Sequence, residues 1–109
     1  MKATAVDDRI LRNKHDLPAF RAAVRDWLIE TVPSPEEIEA GEAELGKDRE
    51  KYMRYQGAWM KEMAKVGLFT PHWPEDYGGA GLSLKHLIVI ADEMVRQRAP
   101  SLIMYTISL

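Results

Sequence analysis

The sequence predicts an all-α fold, a small bundle of three to five helices. Apolar side chains recur every three or four residues in three long segments, the spacing that places them on one face of a helix. Prolines and glycines separate these segments. The 109 residues suffice for one small domain with a single core.

The first helix is expected over about residues 16–32. Pro18 suits its first turn, where a missing N–H costs little, and Pro33 ends it. We expect residues 1–15 to form an arm or short leading helix, and residues 16–109 to form the helical domain. The predicted buried face comprises Phe20, Val24, Trp27, Leu28 and Thr31.

Ser34, Pro35 and Glu37 match a capping box, with serine as the N-cap and glutamate at the third helical position. The acidic residues that follow include few apolar anchors. A short exposed helix or an ordered loop is therefore expected, with the charges facing solvent.

The next long helix is predicted at about residues 48–66. Gly57 either weakens it or permits a close approach by another helix. Gly67 stands where a left-handed C-cap belongs, and Leu68 can then fold back on the apolar stripe. That stripe comprises Tyr52, Tyr55, Trp59, Met63 and Val66.

The last long helix is predicted at about residues 83–98, with Ser83 as its N-cap and Pro100 beyond its end. Val89 and Ile90 widen its apolar face, which indicates burial on more than one side. Asp92, Glu93, Arg96 and Arg98 are expected to keep part of the helix in water. The predicted apolar face comprises Leu84, Leu87, Ile88, Ala91, Met94 and Val95.

The segment Trp73–Ser83, WPEDYGGAGLS, raises the question of a phosphate-binding loop. Gly79 and Gly81 supply a G-x-G pair, but Leu84 occupies the next position that requires glycine. The Gly-Lys-Ser/Thr ending of a Walker loop is also missing. We therefore interpret the segment as a sharp turn, in which glycines adopt positive φ or allow close approach to the following helix.

His72, Glu75 and Asp76 could in principle ligate a metal or transfer protons. Pro71 and Pro74 hold this stretch extended, however, so adjacent side chains diverge and a polar loop is the better interpretation. His86 is interpreted as a surface or capping residue, and His15 has no evident partner. We assign no catalytic, cofactor-binding or metal-ligating residue from these patterns.

Composition excludes several functional classes. The net charge is −2 and the pI is near 5.9, so nothing favours nucleic acid. The absence of cysteine rules out disulfides and thiolate metal sites. No apolar stretch approaches the ~18 residues of a membrane span. We expect a soluble cytoplasmic protein that binds neither nucleic acid nor membrane.

The stretch WPEDYGGAGLSLKHLIVIADEMVRQRAPS resembles the N-terminal helical domain of acyl-CoA dehydrogenases. In that family a Tyr-Gly-Gly-x-Gly-Leu motif joins two helices, an acidic pair follows on the second helix, and a short Ala-Pro-Ser junction ends it. Upstream, FRAAVRDWLIETVP and WMKEMAKVGLFTPHWPEDYGG resemble the first two helices of the domain. The resemblance covers residues 17–109.

The resemblance implies a three-domain, tetrameric flavoprotein of fatty acid metabolism, an oxidoreductase that forms an α,β-double bond in an acyl-CoA thioester. FAD is then bound mainly by middle and C-terminal domains that lie beyond Leu109. A glutamate of the C-terminal domain removes the α-proton and the β-hydride passes to flavin N5. Electron-transferring flavoprotein is the implied acceptor, and Asp92 and Glu93 are not expected to act as the base.

The same resemblance makes Leu102, Ile103 and Thr106 candidates for contacting the acyl chain, with ordinary core positions as the alternative. The chain is then expected to be part of a longer dehydrogenase and inactive alone. A second hypothesis is a stand-alone helical interaction module that docks on a partner through residues 101–109. The identity of the acyl group is not readable from these residues.

Overall fold

The computed structural model describes residues 6–69 and 81–100. Its described part contains four α-helices and one short 3-10 helix around a single apolar core, which confirms the all-α prediction. The 3-10 helix spans Leu11–Asn13, and the α-helices are α1 (Leu17–Thr31), α2 (Pro35–Glu42), α3 (Arg49–Lys65) and α4 (Leu84–Arg96).

Helix α1 forms where the sequence predicts it and packs against both α3 and α4. Asp16 is its N-cap, and the carboxylate accepts a hydrogen bond from the Ala19 amide at 3.2 Å. Trp27 meets Trp59 of α3 with ring centroids 5.5 Å apart. Four of the five predicted face residues are buried, namely Phe20, Val24, Trp27 and Leu28.

Helix α2 is the short exposed helix that the capping box predicts. Ser34 Oγ accepts from the Glu37 amide at 3.2 Å, and Glu37 reaches back to the Ser34 amide. The helix is attached to α3 at Tyr55, whose hydroxyl donates to Glu42 at 3.1 Å. No residue of α2 is buried, so capping and this attachment define its position.

The close helix approach occurs at Gly41, not at Gly57. A Cβ at Gly41 would overlap the ring of Tyr55, whereas a Cβ at Gly57 would meet nothing within 4 Å. The close-approach alternative for Gly57 is therefore wrong. Gly41 lies in an acidic stretch without apolar periodicity, so the sequence pattern did not single it out.

The C-terminus of α3 has the predicted left-handed glycine cap. Gly67 has φ of +80°, its amide donates to Ala64, and the Leu68 amide donates to Met63 at 2.9 Å. These two bonds define a Schellman motif, and Leu68 folds back until it is fully buried. The prediction for this helix end is confirmed.

We expect Gly67→Ala to destabilise the fold by more than Gly46→Ala. Both glycines have positive φ, so each substitution should cost about 1 kcal/mol or more of backbone strain. A Cβ at Gly67 would in addition overlap Leu11, whereas Gly46 has nothing within 4 Å. Urea unfolding measures the free energy of unfolding of both variants. Equal decreases would show that the overlap with Leu11 adds nothing to the backbone strain.

The predicted inward face of α4 is wrong. Leu84, Ile88 and Val95 are 71%, 58% and 79% exposed, and the helix instead turns Val89, Ile90 and Glu93 toward α1. Glu93, expected to remain in water, is 2% exposed. Because α4 is apolar on two opposite faces, periodicity alone does not identify the face that meets the core.

The N-terminal segment contributes to the core as well. Ile10 is fully buried, and the Asp7 amide donates to the Lys65 carbonyl at 2.8 Å. Arg9 forms an ion pair with Glu30 on α1. The described part of this segment is thus packed onto both α1 and α3.

Candidate functional site

The acyl-contact residues predicted from the family resemblance, Leu102, Ile103 and Thr106, lie outside the described residues. So does the Tyr-Gly-Gly part of the turn, including His72, Glu75 and Asp76. The structure does describe Gly81, whose φ of +66° is a left-handed conformation that favours glycine. It also describes α4, the element that separates this turn from the predicted acyl wall.

The start of α4 is fixed by His86. Its Nδ1 accepts from the Ser83 amide at 3.2 Å and lies 2.8 Å from Ser83 Oγ. Its Nε2 lies 2.6 Å from the Lys14 carbonyl, so Nε2 carries the proton and donates it. The ring also packs edge-on against Phe20. His86 is therefore a capping residue that attaches α4 to the segment before α1.

We expect His86→Ala to lower the free energy of unfolding by about 1–2 kcal/mol, because it removes a cap and a hydrogen bond to Lys14. His86→Gln should lose less, since glutamine at the third helical position can complete a capping box. Thermal unfolding monitored by circular dichroism measures both. Equal losses of stability in the two variants would show that capping by residue 86 does not contribute to the stability of the fold.

An ion-pair network joins α1 to the middle of α4. Arg21 Nη1 lies 2.7 Å from Asp92 Oδ2 and 2.6 Å from Glu93 Oε2. Arg96 adds a second contact to Asp92 at 2.9 Å. The other Glu93 oxygen, Oε1, is buried without a hydrogen-bond partner among the described residues. This geometry gives both acidic residues a role in holding α4 on α1.

The Asp92 carboxylate should make stability depend on acid pH. Hydrogen bonds from Arg21 and Arg96 hold the pKa of Asp92 below its ordinary value of 3.8. A lowered folded-state pKa adds stability that is present above the unfolded-state value and is lost as the pH falls through the folded-state value. We therefore expect Asp92→Asn to flatten the loss of stability below about pH 4. Urea unfolding at a series of pH values below neutrality measures the free energy of unfolding of both proteins. Parallel pH profiles for the parent and Asp92→Asn would contradict this expectation.

A cavity of about 220 Å³ opens where the described chain ends. Trp59 lines it, and the indole Nε1 is buried with no hydrogen-bond partner among the described residues. Two glutamates, Glu37 and Glu62, line it together with mainly apolar groups. The lining residues are Thr31, Pro33, Glu37, Tyr55, Ala58, Trp59, Glu62 and Pro100.

A second cavity, of about 310 Å³, shares Pro33 with the first. Arg98 lines it and has φ of +55°, an uncommon value for a residue with a side chain. This residue ends α4 in a Schellman motif, since the Ala99 amide donates to Met94 at 2.9 Å. The remaining lining residues are Val32, Pro35, Ile38, Glu39 and Gln97.

These cavities suit apolar groups better than ionic chemistry. Their surfaces are mainly aliphatic and aromatic, with two glutamates lining the first cavity and one lining the second. Within residues 6–69 and 81–100, no group of three or more histidine, aspartate or glutamate side chains could hold a metal ion. In the same ranges, no helix is both long and apolar enough to cross a bilayer.

Comparison with known proteins agrees with this all-helical arrangement. The sequence profile described as acyl-CoA dehydrogenase, N-terminal domain, matches residues 14–109. The chain belongs to the acyl-CoA dehydrogenase family. The match includes all four α-helices and both sides of the Trp73–Ser83 turn.

Two curated relatives carry the same family name. Acyl-CoA dehydrogenase IpdE1 of Mycobacterium tuberculosis is 34% identical over 85 residues, which cover 78% of this chain and 22% of the relative. IpdE1 of Mycolicibacterium smegmatis is 32% identical over 85 residues, with 78% and 21% covered. The chain thus spans about a fifth of the length of these relatives. No solved structure gave a significant match.

Sequence reasoning missed several residues that organise this acyl-CoA dehydrogenase domain. Asp16 and Asp48 are N-caps, a role that their positions just before apolar-periodic segments could have indicated. Arg21 lies outside the apolar face predicted for α1. Its partners lie 71 and 72 residues further along the chain, so no local pattern connects them.

Proposed function

We propose that these residues form the N-terminal helical part of a flavin-dependent acyl-CoA dehydrogenase that acts in the cytoplasm as a homotetramer. The reaction is α,β-dehydrogenation of an acyl-CoA thioester, with electron-transferring flavoprotein as the electron acceptor. The observation that carries the proposal is the family match over residues 14–109. The names of both relatives agree with it.

The contribution of this domain is a rigid scaffold for one wall of the acyl site. Leu102, Ile103 and Thr106 are the proposed contacts, because the family resemblance makes the helix after the Ala99–Ser101 junction part of the acyl-chain cavity. Pro100 is buried and lines the cavity beside Trp59. An apolar wall on a fixed helical support is what an acyl chain requires.

The two cavities that share Pro33 do not fit FAD. Their linings include Glu37, Glu39 and Glu62, whose carboxylates would repel a diphosphate. At about 220 and 310 Å³ they are also at or below the lower limit of ordinary ligand pockets. The family resemblance assigns the flavin, which accepts the hydride when bound, to other parts of the enzyme.

The proton-abstracting base is likewise not assigned to the described residues. Asp92 is paired with two arginines, and Glu93 is buried against Arg21 on the core side of α4. Both carboxylates are committed to holding two helices together. The 109-residue chain alone should therefore show no acyl-CoA oxidation, and measurable turnover would contradict this assignment.

The first experiment is the intact mass of the polypeptide isolated from its natural source, followed by its absorption spectrum. A mass several times 12.4 kDa with bound flavin and acyl-CoA-dependent reduction of a dye supports the proposal. A longer polypeptide with neither flavin nor acyl-CoA binding overturns it. A mass of 12.4 kDa would instead favour the helical interaction module that docks through residues 101–109.

The acyl contacts are tested in the active enzyme. Ile103→Ala and Leu102→Ala should shift kcat/KM toward bulkier acyl groups, on the order of tenfold per substitution. Ile29→Ala, at a 63% exposed position on α1, is the matched control and should leave the profile unchanged. An unchanged profile in all three variants would place Leu102 and Ile103 in the ordinary core.

A further inference from the structure

The chain before α1 is held at both ends by helices that come much later in the sequence. We define the strap as residues 7–14, which include the 3-10 helix. At its start, the Asp7 amide donates to the Lys65 carbonyl at the end of α3, at 2.8 Å. At its end, the Lys14 carbonyl lies 2.6 Å from His86 Nε2 on α4. The strap therefore joins two helix ends that the glycine-rich turn separates in the sequence.

Hydrogen bonds within the strap make it a single folded unit. The Asp7 carboxylate accepts from the Arg9 amide at 3.0 Å, and the Arg9 carbonyl accepts from the Asn13 side chain at 3.1 Å. The Asn13 amide donates to the Ile10 carbonyl at 3.1 Å, and Ile10 is fully buried in the common core. Because these contacts run along the strap, a displacement at its α3 end is expected to reach its contact with α4.

The strap rests on bare backbone at the end of α3. Leu11 lies so close to Gly67 that a Cβ at this glycine would overlap the leucine side chain. Val6 Cγ1 would lie 3.4 Å from the same Cβ. Gly67 is also the left-handed residue that ends α3. A side chain introduced there therefore displaces the strap in addition to straining the helix cap.

The contact with α4 controls the tautomer of His86. Because Nε2 donates its proton to the Lys14 carbonyl, Nδ1 carries none and accepts from the Ser83 amide at 3.2 Å. That second bond belongs to the N-cap of α4. Without the Lys14 contact, the proton is free to occupy Nδ1, where it would face the Ser83 amide donor and break the cap. The cap of α4 therefore depends on where the strap lies.

We propose that the strap is a latch that couples the end of α3 to the start of α4, so that its release from α3 uncaps α4. Every contact in this path is made between described residues, and the coupling needs no partner outside the domain. The alternative is that α1 alone holds the start of α4, through the contacts of Phe20 and Arg21. In that case a change at the end of α3 leaves the cap unaltered.

Two glycine substitutions test the latch. Gly67→Ala displaces Leu11 and with it the strap, whereas Gly46 has a similar positive φ and a Cβ there would meet nothing within 4 Å. Hydrogen exchange is followed by NMR at the amide of Leu87, which donates to the Ser83 carbonyl in the first turn of α4. Gly67→Ala should raise this exchange rate on the order of tenfold, and Gly46→Ala should leave it unchanged.

Two further readouts separate coupling from a general loss of stability. The amide of Val24, in the buried part of α1, reports global unfolding, and the exchange rate of Leu87 should rise relative to it. Nitrogen chemical shifts of the His86 ring above neutral pH report its tautomer. The proton should lie on Nε2 in the parent and be shared between both nitrogens in Gly67→Ala.

Asp7→Pro releases the strap without altering a residue of α3. Proline removes the amide that donates to Lys65, whereas Asp7→Asn keeps that amide and is the matched control. Asp7→Pro should raise the exchange rate of Leu87, and Asp7→Asn should not. Combined with His86→Ala, Asp7→Pro should lower stability by less than the sum of the two single losses, because both substitutions open one latch.

An exchange rate of Leu87 that rises only in step with that of Val24 would overturn the proposal. So would a His86 ring that keeps its proton on Nε2 in both Gly67→Ala and Asp7→Pro, or strictly additive losses for Asp7→Pro and His86→Ala. Each of these results would mean that α1 alone holds the start of α4. The measurements involve neither flavin nor acyl-CoA, so failure of this proposal is distinguishable from failure of the proposed function.

Discussion

Replacing Arg21 with methionine is expected to lower the urea midpoint of unfolding far more than replacing Arg96 with methionine. Both arginines contact Asp92, but only Arg21 also contacts Glu93, which is 2% exposed. Without Arg21, no described residue would pair with either oxygen of this buried carboxylate. An unpaired buried charge is among the most destabilising features that a substitution can create.

The loss of stability should also differ according to which partner of the Arg21–Glu93 pair is replaced. Glu93→Gln leaves Arg21 a third exposed and still bonded to Asp92, so its guanidinium retains water and one carboxylate. Arg21→Met instead leaves the carboxylate of Glu93 buried without a charged partner among the described residues. We therefore expect the midpoint to fall in the order Arg21→Met, then Glu93→Gln, then Arg96→Met. A larger loss for Glu93→Gln than for Arg21→Met would contradict the role assigned to burial.

The helices themselves could be predicted because their signals are local. Ser34 with Glu37 begins α2, and Gly67 ends α3 through a conformation that few other residues adopt. Caps and apolar spacing act over three or four residues, and one sequence displays them in full. For this reason the predicted bounds of α1 and α3 agree with the structure to within one residue at each end.

The orientation of α4 could not be predicted in the same way. Leu84, Ile88 and Val95 have the spacing of a buried face. Val89 and Ile90 have it as well, together with Glu93 one turn later. The choice depends on Arg21 of α1, which pairs with Asp92 and Glu93 across 71 and 72 residues of sequence. A non-local ion pair of this kind has no signature within the segment that it orients.

The functional site was reached through the family resemblance, because the local patterns contained no reactive constellation. His86 has the residue type of a catalyst, yet its two nitrogens are used by Ser83 and Lys14. The resemblance indicated the family and assigned Leu102, Ile103 and Thr106, which lie outside the described residues. That assignment stays a prediction, and the described helices provide the support on which it depends.

Phe20→Ala should strongly destabilise the fold. Phe20 is fully buried where α1 crosses α4, and its ring packs edge-on against His86 with centroids 4.8 Å apart. Removing the ring should cost about 3–5 kcal/mol, because both the buried surface and the filled volume are lost. That is a large share of the ~5–15 kcal/mol that stabilises a typical domain.

Ile29→Ala is the matched control for this truncation, since Ile29 lies on the same helix and is 63% exposed. Ile29→Ala should lower the free energy of unfolding by no more than about 0.5 kcal/mol, because little buried surface is removed. Urea unfolding followed at 222 nm measures both variants. If Phe20→Ala were no worse than Ile29→Ala, the α1–α4 contact would not be the centre of the core. If Phe20→Ala were far worse, the packing of Phe20 would be one of the contacts that hold α4 on α1, beside the Arg21 ion pairs.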